Sequence, residues 1–180
     1  MSQKLNTLAA SAKLAAMPGV FPAIADFVEK FSAKEGPTVV VGTLGAALQS
    51  GEMGEFYSPV FPRGLRLSTA EEVKVADLDA QRVRIESADG VGDPTVIVSR
   101  HPATIALLLE RWPDAVVFDG NVARDDVARK VVAGTLPPFL ASEVAAYVPV
   151  QVTGYDAAKE GDVDDHERIV VGDPIRVTVS

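Results

Sequence analysis

The sequence contains no cysteine and only two histidines among its 180 residues. Without cysteine the chain forms no disulfide and offers no thiolate to a metal ion, and two histidines are too few for the usual zinc ligand sets. We therefore expect no metal and no cofactor. The absence of cysteine also suits a reducing compartment, so we expect a cytoplasmic protein.

Positive charge and long apolar runs are also scarce. The chain has 17 Lys and Arg against 25 Asp and Glu, which gives a formal net charge of −8. Proteins that bind long nucleic acid without sequence preference normally present a basic face, so we exclude that class. The negative net charge is still compatible with a small anionic ligand that is held by one or two arginines. Residues 1–14 lack the apolar centre of a signal peptide, and no run reaches membrane-spanning length, so we expect no membrane partner.

The apolar content of 47% is enough for a folded core. A small, polar, turn-rich stretch at residues 88–94 marks the best domain boundary, with domains at 1–93 and 94–180. Residues 1–93 are predicted to be an α+β region, which is a candidate for a second small domain. Its predicted elements are helices over 3–17 and 20–33, a strand over 38–42, a loop over 51–64, a helix start at 68–72 and a strand over 82–86.

Residues 94–152 alternate short apolar strands with helices. This alternation predicts an α/β fold with a Rossmann-like parallel sheet in the C-terminal half. The predicted strands are 95–98, 115–118, 131–133 and 148–152, and the predicted helices are 102–110, 125–130 and 139–147. An acidic stretch over 156–167, which contains His166, is expected to be a solvated loop, and strands are expected within 169–179.

The first strand of this half is followed at once by polar residues and a helix that starts at Pro102. Such a turn leaves the first backbone N–H groups of the helix, those of Ala103 and Thr104, available to an anion. Polar side chains adjoin it: Arg100 can pair with a phosphate, His101 can serve as a general base or acid, and Ser99 can donate a hydrogen bond. His101 as a plain helix cap and Arg100 as a surface residue are the structural alternatives. We predict an anion site at this turn.

A second turn follows the strand at 131–133. There Gly134 permits close approach of a ligand to the backbone, and Thr135 can donate a hydrogen bond. Turn geometry alone also explains Gly134 and Pro137. Residues 40–44 repeat this pattern in the N-terminal half, by duplication or by chance. Asp119 ends the intervening strand, where it either faces the ligand or caps the next segment.

Two motifs in this half, Ser99-Arg100-His101-Pro102 and Gly134-Thr135-Leu136-Pro137, stand in an order and spacing that resemble a known family. It is a small family of Rossmann-like Csx proteins associated with type III CRISPR systems and antiviral defence. The resemblance covers residues 94–155, about a third of the chain. Members of the family are linked to binding and cutting cyclic oligoadenylate second messengers.

The resemblance implies a ring nuclease that cleaves a cyclic oligoadenylate, with cyclic tetra-adenylate as the favoured ligand. It implies catalytic roles for Arg100 and His101. From the two turns, the start of the helix and the end of the intervening strand, we predict the ligand-binding residues Ser99, Ala103, Thr104, Asp119, Gly134, Thr135, Leu136 and Pro137. Because a tetra-adenylate ring has approximate twofold symmetry, we also predict a homodimer.

Two alternatives remain open at this point. A sponge or sensor would hold the cyclic nucleotide without cutting it, with the N-terminal region covering or reshaping the site. An assembly protein, for instance of a virus particle, would use a Rossmann-like domain for a structural purpose, because a fold does not fix a function.

Overall fold

The structure is a computed structural model that describes residues 2–51, 54–62, 64–119, 121–152 and 168–180. The predicted acidic loop at 156–167, including His166, lies outside the described residues. The described residues form an α/β protein, which confirms the predicted fold class. The chain divides into two compact units, Met1–Arg84 with Val179–Ser180, and Ile85–Thr178. The turn-rich stretch at 88–94 therefore lies inside the second unit.

The first unit is built on three parallel strands joined by helices. Its described elements are β1 (Gln3–Lys4), α1 (Leu5–Ser11), β2 (Lys13–Ala16), α2 (Pro22–Phe31), β3 (Thr38–Val41), α3 (Leu44–Ser50), β4 (Gly54–Pro59), α4 (Ala70–Ala76) and β5 (Asp79–Ser87), the last of which ends in the second unit. Strand β3 pairs in parallel with β2 and with β4, and β1 pairs with β5 in antiparallel orientation. The buried face of α2, centred on Ile24 and Phe27, packs into the core of this unit.

Local sequence explains several helix ends in the first unit. The Thr43 side chain accepts a hydrogen bond from the backbone N–H of Ala46, and Gly51 ends α3 in the left-handed conformation. At the start of α4 the Thr69 hydroxyl accepts from the backbone N–H of Glu72 and donates to its carboxylate. These are N-cap and C-cap patterns that stabilise short helices.

Two predictions for this region are wrong. Residues 3–17 form a short helix between two strands, because β2 finds a parallel partner in β3 and the Ser32 hydroxyl accepts a hydrogen bond from the Leu14 N–H. Residues 51–64 contain strand β4, where the prediction had a loop. In both cases pairing with a distant strand overrides the local preference.

The second unit contains the predicted alternation of strands and helices. Its described elements are β6 (Val96–Val98), α5 (Pro102–Arg111), β7 (Val116–Phe118), α6 (Arg124–Val127), β8 (Val131–Gly134), α7 (Pro138–Ala141), β9 (Ala146–Val152), β10 (Ile169–Val171) and β11 (Ile175–Val179), whose last residue belongs to the first unit. The helix predicted over 139–147 is wrong in length. Only α7 is helical, because Ala146 and Tyr147 pair with β8 as the start of β9.

The order of the parallel strands in the second unit is β7, β6, β8, β9. The chain runs outward from β6 to β7 and then returns past β6 to reach β8 and β9. The direction of winding therefore reverses at β6. In open α/β sheets, ligands bind outside the carboxyl ends of the strands at such a reversal, here between β6 and β8.

The core of the second unit lies against this sheet. Buried residues from β6, α5, β8, β9 and β10 form one cluster: Ile97, Ala103, Leu108, Ala133, Val148, Val150 and Ile169. The three residues of β6 are all buried, as expected for a central strand in a parallel sheet. Among the described residues, no helix is long and apolar enough to cross a membrane.

Candidate functional site

A half-open pocket of about 410 Å³ lies at the carboxyl ends of the parallel strands in the second unit. Residues that follow three different strands line it, after β6, after β7 and after β8. The lining residues are Val98, Ser99, Arg100, His101, Asn121, Val122, Thr135, Pro137, Phe139 and Leu140. The pocket therefore occupies the place where the sheet order reverses, which is the expected ligand position for this fold.

The turn from β6 into α5 is held by its own polar groups. The buried Ser99 hydroxyl accepts a hydrogen bond from the backbone N–H of His101 at 3.2 Å, and the Ser99 N–H donates to the Phe118 carbonyl of β7 at 3.2 Å. Pro102 then begins the helix at a position where a missing N–H costs nothing. These contacts fix the direction in which the side chains of residues 100 and 101 leave the sheet.

The two charged or titratable side chains of this turn differ in exposure. Arg100 is exposed and makes no ion pair with another described residue. His101 is partly exposed and lines the pocket, and its Nδ1 atom is buried. The His101 side chain makes no capping hydrogen bond to α5, which removes the helix-cap explanation for this residue.

The pocket differs in charge from the rest of the protein. The whole chain carries a net charge of −8, yet the lining residues that the structure describes include no aspartate or glutamate. They do include one guanidinium and one imidazole. An anionic group in the pocket therefore meets attractive side chains and, within the described part of the lining, no adjacent carboxylate.

On the opposite side of the pocket, the turn after β8 packs tightly against the end of β6. Gly134 is buried with φ +130°, and a Cβ added there would lie 1.9 Å from the Val98 carbonyl oxygen. The same Val98 oxygen accepts a hydrogen bond from the Thr135 N–H at 3.0 Å. Gly134 is thus required for contact between two segments of the chain, and its surface is not open to a ligand.

Tyr147 on β9 holds this turn from the other side. Its hydroxyl donates to the Gly134 carbonyl at 2.9 Å and accepts from the Leu136 N–H at 3.1 Å. The ring is buried, and burial raises the pKa of Tyr147 from 10.0 to about 12 because the phenolate would lose its hydration. Since the backbone on both sides of Thr135 is bonded, the exposed Thr135 side chain is held at the rim of the pocket.

The structure brings together half of the residues that the sequence predicted for the site. Ser99, Arg100, His101, Thr135 and Pro137 all line the pocket, although the two motifs are more than thirty residues apart in the chain.

The other predicted residues do not line the pocket. Ala103 and Thr104 are buried in the first turn of α5, and Leu136 is buried below the second turn. Gly134 packs on β6, as described above. Asp119 is exposed after β7, and its neighbours two and three residues further on reach the pocket instead.

Sequence reasoning missed several residues of the site: Asn121, Val122, Phe139, Leu140 and Tyr147. Asn121 was detectable, because it follows a parallel strand just as Ser99 does. Phe139 stands directly after a pair of prolines at the start of α7, where an apolar residue looks like ordinary core. Tyr147 is the one residue of β9 with a hydroxyl, and only its long-range partners show its role.

No group of three or more histidine, aspartate or glutamate side chains that would hold a metal ion occurs within the described part of the chain. No protein-family model, curated protein sequence or solved structure matches the chain. The function therefore has to be inferred from the pocket and its residues.

Proposed function

We propose that the protein binds a cyclic oligoadenylate in this pocket and cleaves it as a metal-independent ring nuclease. The observation that carries the proposal is the meeting of the two motifs that resemble the Csx family. Arg100 and His101 from one motif and Thr135 from the other line one pocket at the reversal point of the sheet. The absence of cysteine is consistent with the cytoplasmic location that such a function requires.

The chemistry uses a nucleophile that the substrate carries. The ribose 2′-hydroxyl attacks the neighbouring phosphorus, the P–O5′ bond breaks, and the products are a 2′,3′-cyclic phosphate and a 5′-hydroxyl end. The proton of the 2′-hydroxyl moves to a base, and O5′ gains a proton as it leaves. His101 is the group in the pocket suited to this transfer, through Nε2.

Arg100 and the hydroxyl groups serve the phosphate. A guanidinium pairs with two phosphate oxygens at once and stabilises the charge that develops as the 2′-oxygen attacks. The Thr135 side chain, which also lines the pocket, would donate a further hydrogen bond to the phosphate. Alignment of the 2′-oxygen with the scissile bond then contributes to rate by removing the entropy cost of finding that geometry.

The size of the pocket limits how much of the ligand it holds. Its volume of about 410 Å³ lies near the lower end of the roughly 300–1,000 Å³ usual for ligand pockets. This volume suits one phosphodiester link with an adjoining nucleoside, and the remainder of a tetra-adenylate ring would extend through the open side. A second copy of the chain would supply the other half of a symmetric site.

The test is digestion of cyclic tri-, tetra- and hexa-adenylate by the purified protein in EDTA, followed by chromatography and mass spectrometry. We expect linear products ending in a 2′,3′-cyclic phosphate from wild-type protein and none from His101→Ala. Arg111→Ala, at the far end of α5, is the matched control and should cleave normally. Intact rings at a stoichiometric amount of wild-type protein would contradict cleavage.

Calorimetry on the same samples separates the alternatives. Tight binding of a ring without products identifies a sponge or sensor at the same pocket. No heat with any of the three rings contradicts both nucleotide functions. In that case, large particles in light scattering with no nucleotide effect on stability would identify an assembly protein.

A further inference from the structure

Phe139 is a large apolar side chain left in contact with solvent at the pocket. It is 59% exposed, although its neighbours Leu140 and Ala141 are buried in the core. An exposed aromatic ring does not contribute the free energy of burial to folding. Stability therefore does not explain why this ring lies exposed in the lining of a pocket. The structure provides a useful comparison, because the chain has a second exposed phenylalanine at the start of a helix.

That comparison residue is Phe21, which is 58% exposed just before α2. Its ring packs edge-on against the ring of Phe61, with centroids 5.7 Å apart and planes at 85°. This T-shaped contact accounts for the position of Phe21. Phe139 makes no ring contact of this kind with any residue that the structure describes.

The backbone around Phe139 is rigid. Pro137 and Pro138 precede it and fix two successive φ angles, and the Ser142 hydroxyl donates to the Phe139 carbonyl at 2.9 Å. The backbone that carries the ring has therefore already lost its conformational entropy on folding, before any ligand binds. A ring carried on an ordered backbone binds a flat partner without the entropy cost of ordering that backbone.

We infer that Phe139 is the stacking platform for a nucleobase of the ligand and so determines preference for a nucleotide over a sugar phosphate. The inference rests on the proposed function, with the phosphate bound at Arg100 across the same pocket. An aromatic face stacks on an adenine ring, while the guanidinium binds the phosphate attached to the same nucleoside. The apolar part of the lining, Val122 and Leu140, flanks the base and excludes water.

The first measurement is affinity for cyclic tetra-adenylate by calorimetry. We expect Phe139→Ala and Phe139→Leu to bind about 5- to 150-fold more weakly than wild type, the equivalent of one base–aromatic stack. Phe139→Trp should retain or improve the affinity. Leucine supplies an apolar side chain without a π-face, so a leucine variant that binds like wild type would overturn stacking.

The second measurement is fluorescence of the Phe139→Trp variant, read against the single native tryptophan in the wild-type protein. A base stacked on the new indole quenches its emission, so we expect saturable quenching by cyclic tetra-adenylate and by adenosine monophosphate. Ribose 5-phosphate should not quench. Phe21→Trp is the matched control and should show no ligand-dependent change. Circular dichroism of each variant confirms that it is folded.

The outcomes separate this inference from the proposed function. If adenosine monophosphate quenches the emission but no cyclic oligoadenylate is bound or cleaved, Phe139 is supported as a stacking residue and the ring nuclease is overturned. Normal ring binding by Phe139→Ala, with no quenching in Phe139→Trp, overturns stacking and leaves the ring nuclease standing. Binding of no nucleotide by the wild-type protein overturns both.

Discussion

Arg100 supplies a positive charge to the pocket and is exposed, without an ion pair to any other described residue. Its replacement by alanine removes a charge-assisted hydrogen-bond partner of the ligand, worth about 1.5–3 kcal/mol. We predict that Arg100→Ala weakens binding of cyclic tetra-adenylate by roughly 10- to 150-fold. Calorimetry at fixed ionic strength measures the change. Arg111→Ala is the control for general loss of positive charge, and equal affinities of the two variants would contradict the role of Arg100.

His101 is predicted to affect rate and spare affinity. If its Nε2 moves a proton, His101→Ala should slow cleavage by about 10²–10⁴-fold and leave binding nearly unchanged. A purely structural role for His101 would instead lower the melting temperature and leave cleavage unchanged. Single-turnover kinetics and thermal melts distinguish these effects. Unchanged cleavage would remove His101 from the chemistry.

The turn after β8 forms one wall of the pocket. The path of its backbone requires a glycine at position 134. An alanine there would adopt φ +130° and place its Cβ on the Val98 carbonyl. We predict that Gly134→Ala lowers the free energy of unfolding by on the order of 3 kcal/mol or more, because the backbone of β6 or β8 must move. Chemical denaturation measures this loss.

Gly45 provides the matched control for that prediction. It lies in the first turn of α3, and a Cβ there would meet no atom within 4 Å. Gly45→Ala should therefore be neutral or stabilise by up to about 1 kcal/mol, through loss of unfolded-state entropy. Similar losses of stability for the two variants would mean that tight packing is not the reason for Gly134.

Tyr147 connects strand β9 to the same turn through two hydrogen bonds. Tyr147→Phe keeps the ring but leaves the Gly134 carbonyl and the Leu136 N–H without this partner. We predict a loss of about 1–3 kcal/mol per unsatisfied group, measured by chemical denaturation. Ligand binding should weaken as well, because the turn that carries Thr135 loosens. Wild-type stability in this variant would show that the two bonds contribute little.

The pH dependence of this contribution has a definite sign. The pKa of Tyr147 is about 12 in the folded protein and near 10.0 when the residue is solvated. A group whose pKa is raised on folding contributes fully below the unfolded value, and its contribution is lost as the pH rises through the folded value. We therefore expect an extra fall in stability between pH 10 and 12 in wild type that Tyr147→Phe lacks.

At the scale of the whole molecule, the two units share one feature: a glycine at the end of a parallel strand packs against the end of the neighbouring strand. In the first unit Gly42 follows β3, and a Cβ there would lie 2.7 Å from the Met17 sulfur, just beyond the end of the parallel strand β2. In the second unit Gly134 ends β8 and packs on the last residue of β6. Both α2 and α5 begin with proline and have ten residues. The sequence repeat around residues 40–44 thus places a glycine against the end of a neighbouring parallel strand in both units, although of the two glycines only Gly134 has a positive φ.

The first unit lacks the polar residues of the site at its equivalent turn. Met17 and the residues Pro18, Gly19 and Val20 stand where the second unit has Val98 followed by the Ser99–His101 turn. Met17 is buried and fills the space beside Gly42. The chemistry that we propose is therefore confined to the second unit.

The symmetry of the proposed ligand leads to a prediction about assembly. One pocket of about 410 Å³ encloses part of a tetra-adenylate ring, and a twofold axis would present the same pocket twice. We predict a homodimer in which Arg100 and His101 of both chains face a shared cleft. Sedimentation should give twice the 19.0 kDa chain mass with ligand present. A monomer with and without ligand would contradict the prediction.

The sequence by itself determined the class of the fold and part of the site. Short apolar runs rich in β-branched residues are a local signal for strands, and they placed β3, β6, β7 and β8 to within one residue at each end. Since parallel strands end at one edge, residues following different strands were expected to meet. In the structure, Ser99, Arg100 and His101 line the same pocket as Thr135.

Only the tertiary structure decided what depends on partners distant in the chain. Strands β2 and β4, and the first two residues of β9, exist because neighbouring strands pair with their backbone groups, and no local pattern encodes those neighbours. The same holds for the direction of side chains within a turn. Leu136 enters the core while Thr135 stays at the rim, because Val98 and Tyr147 bind the backbone on either side. The exposed ring of Phe139 likewise follows from the packing of its two buried neighbours in α7.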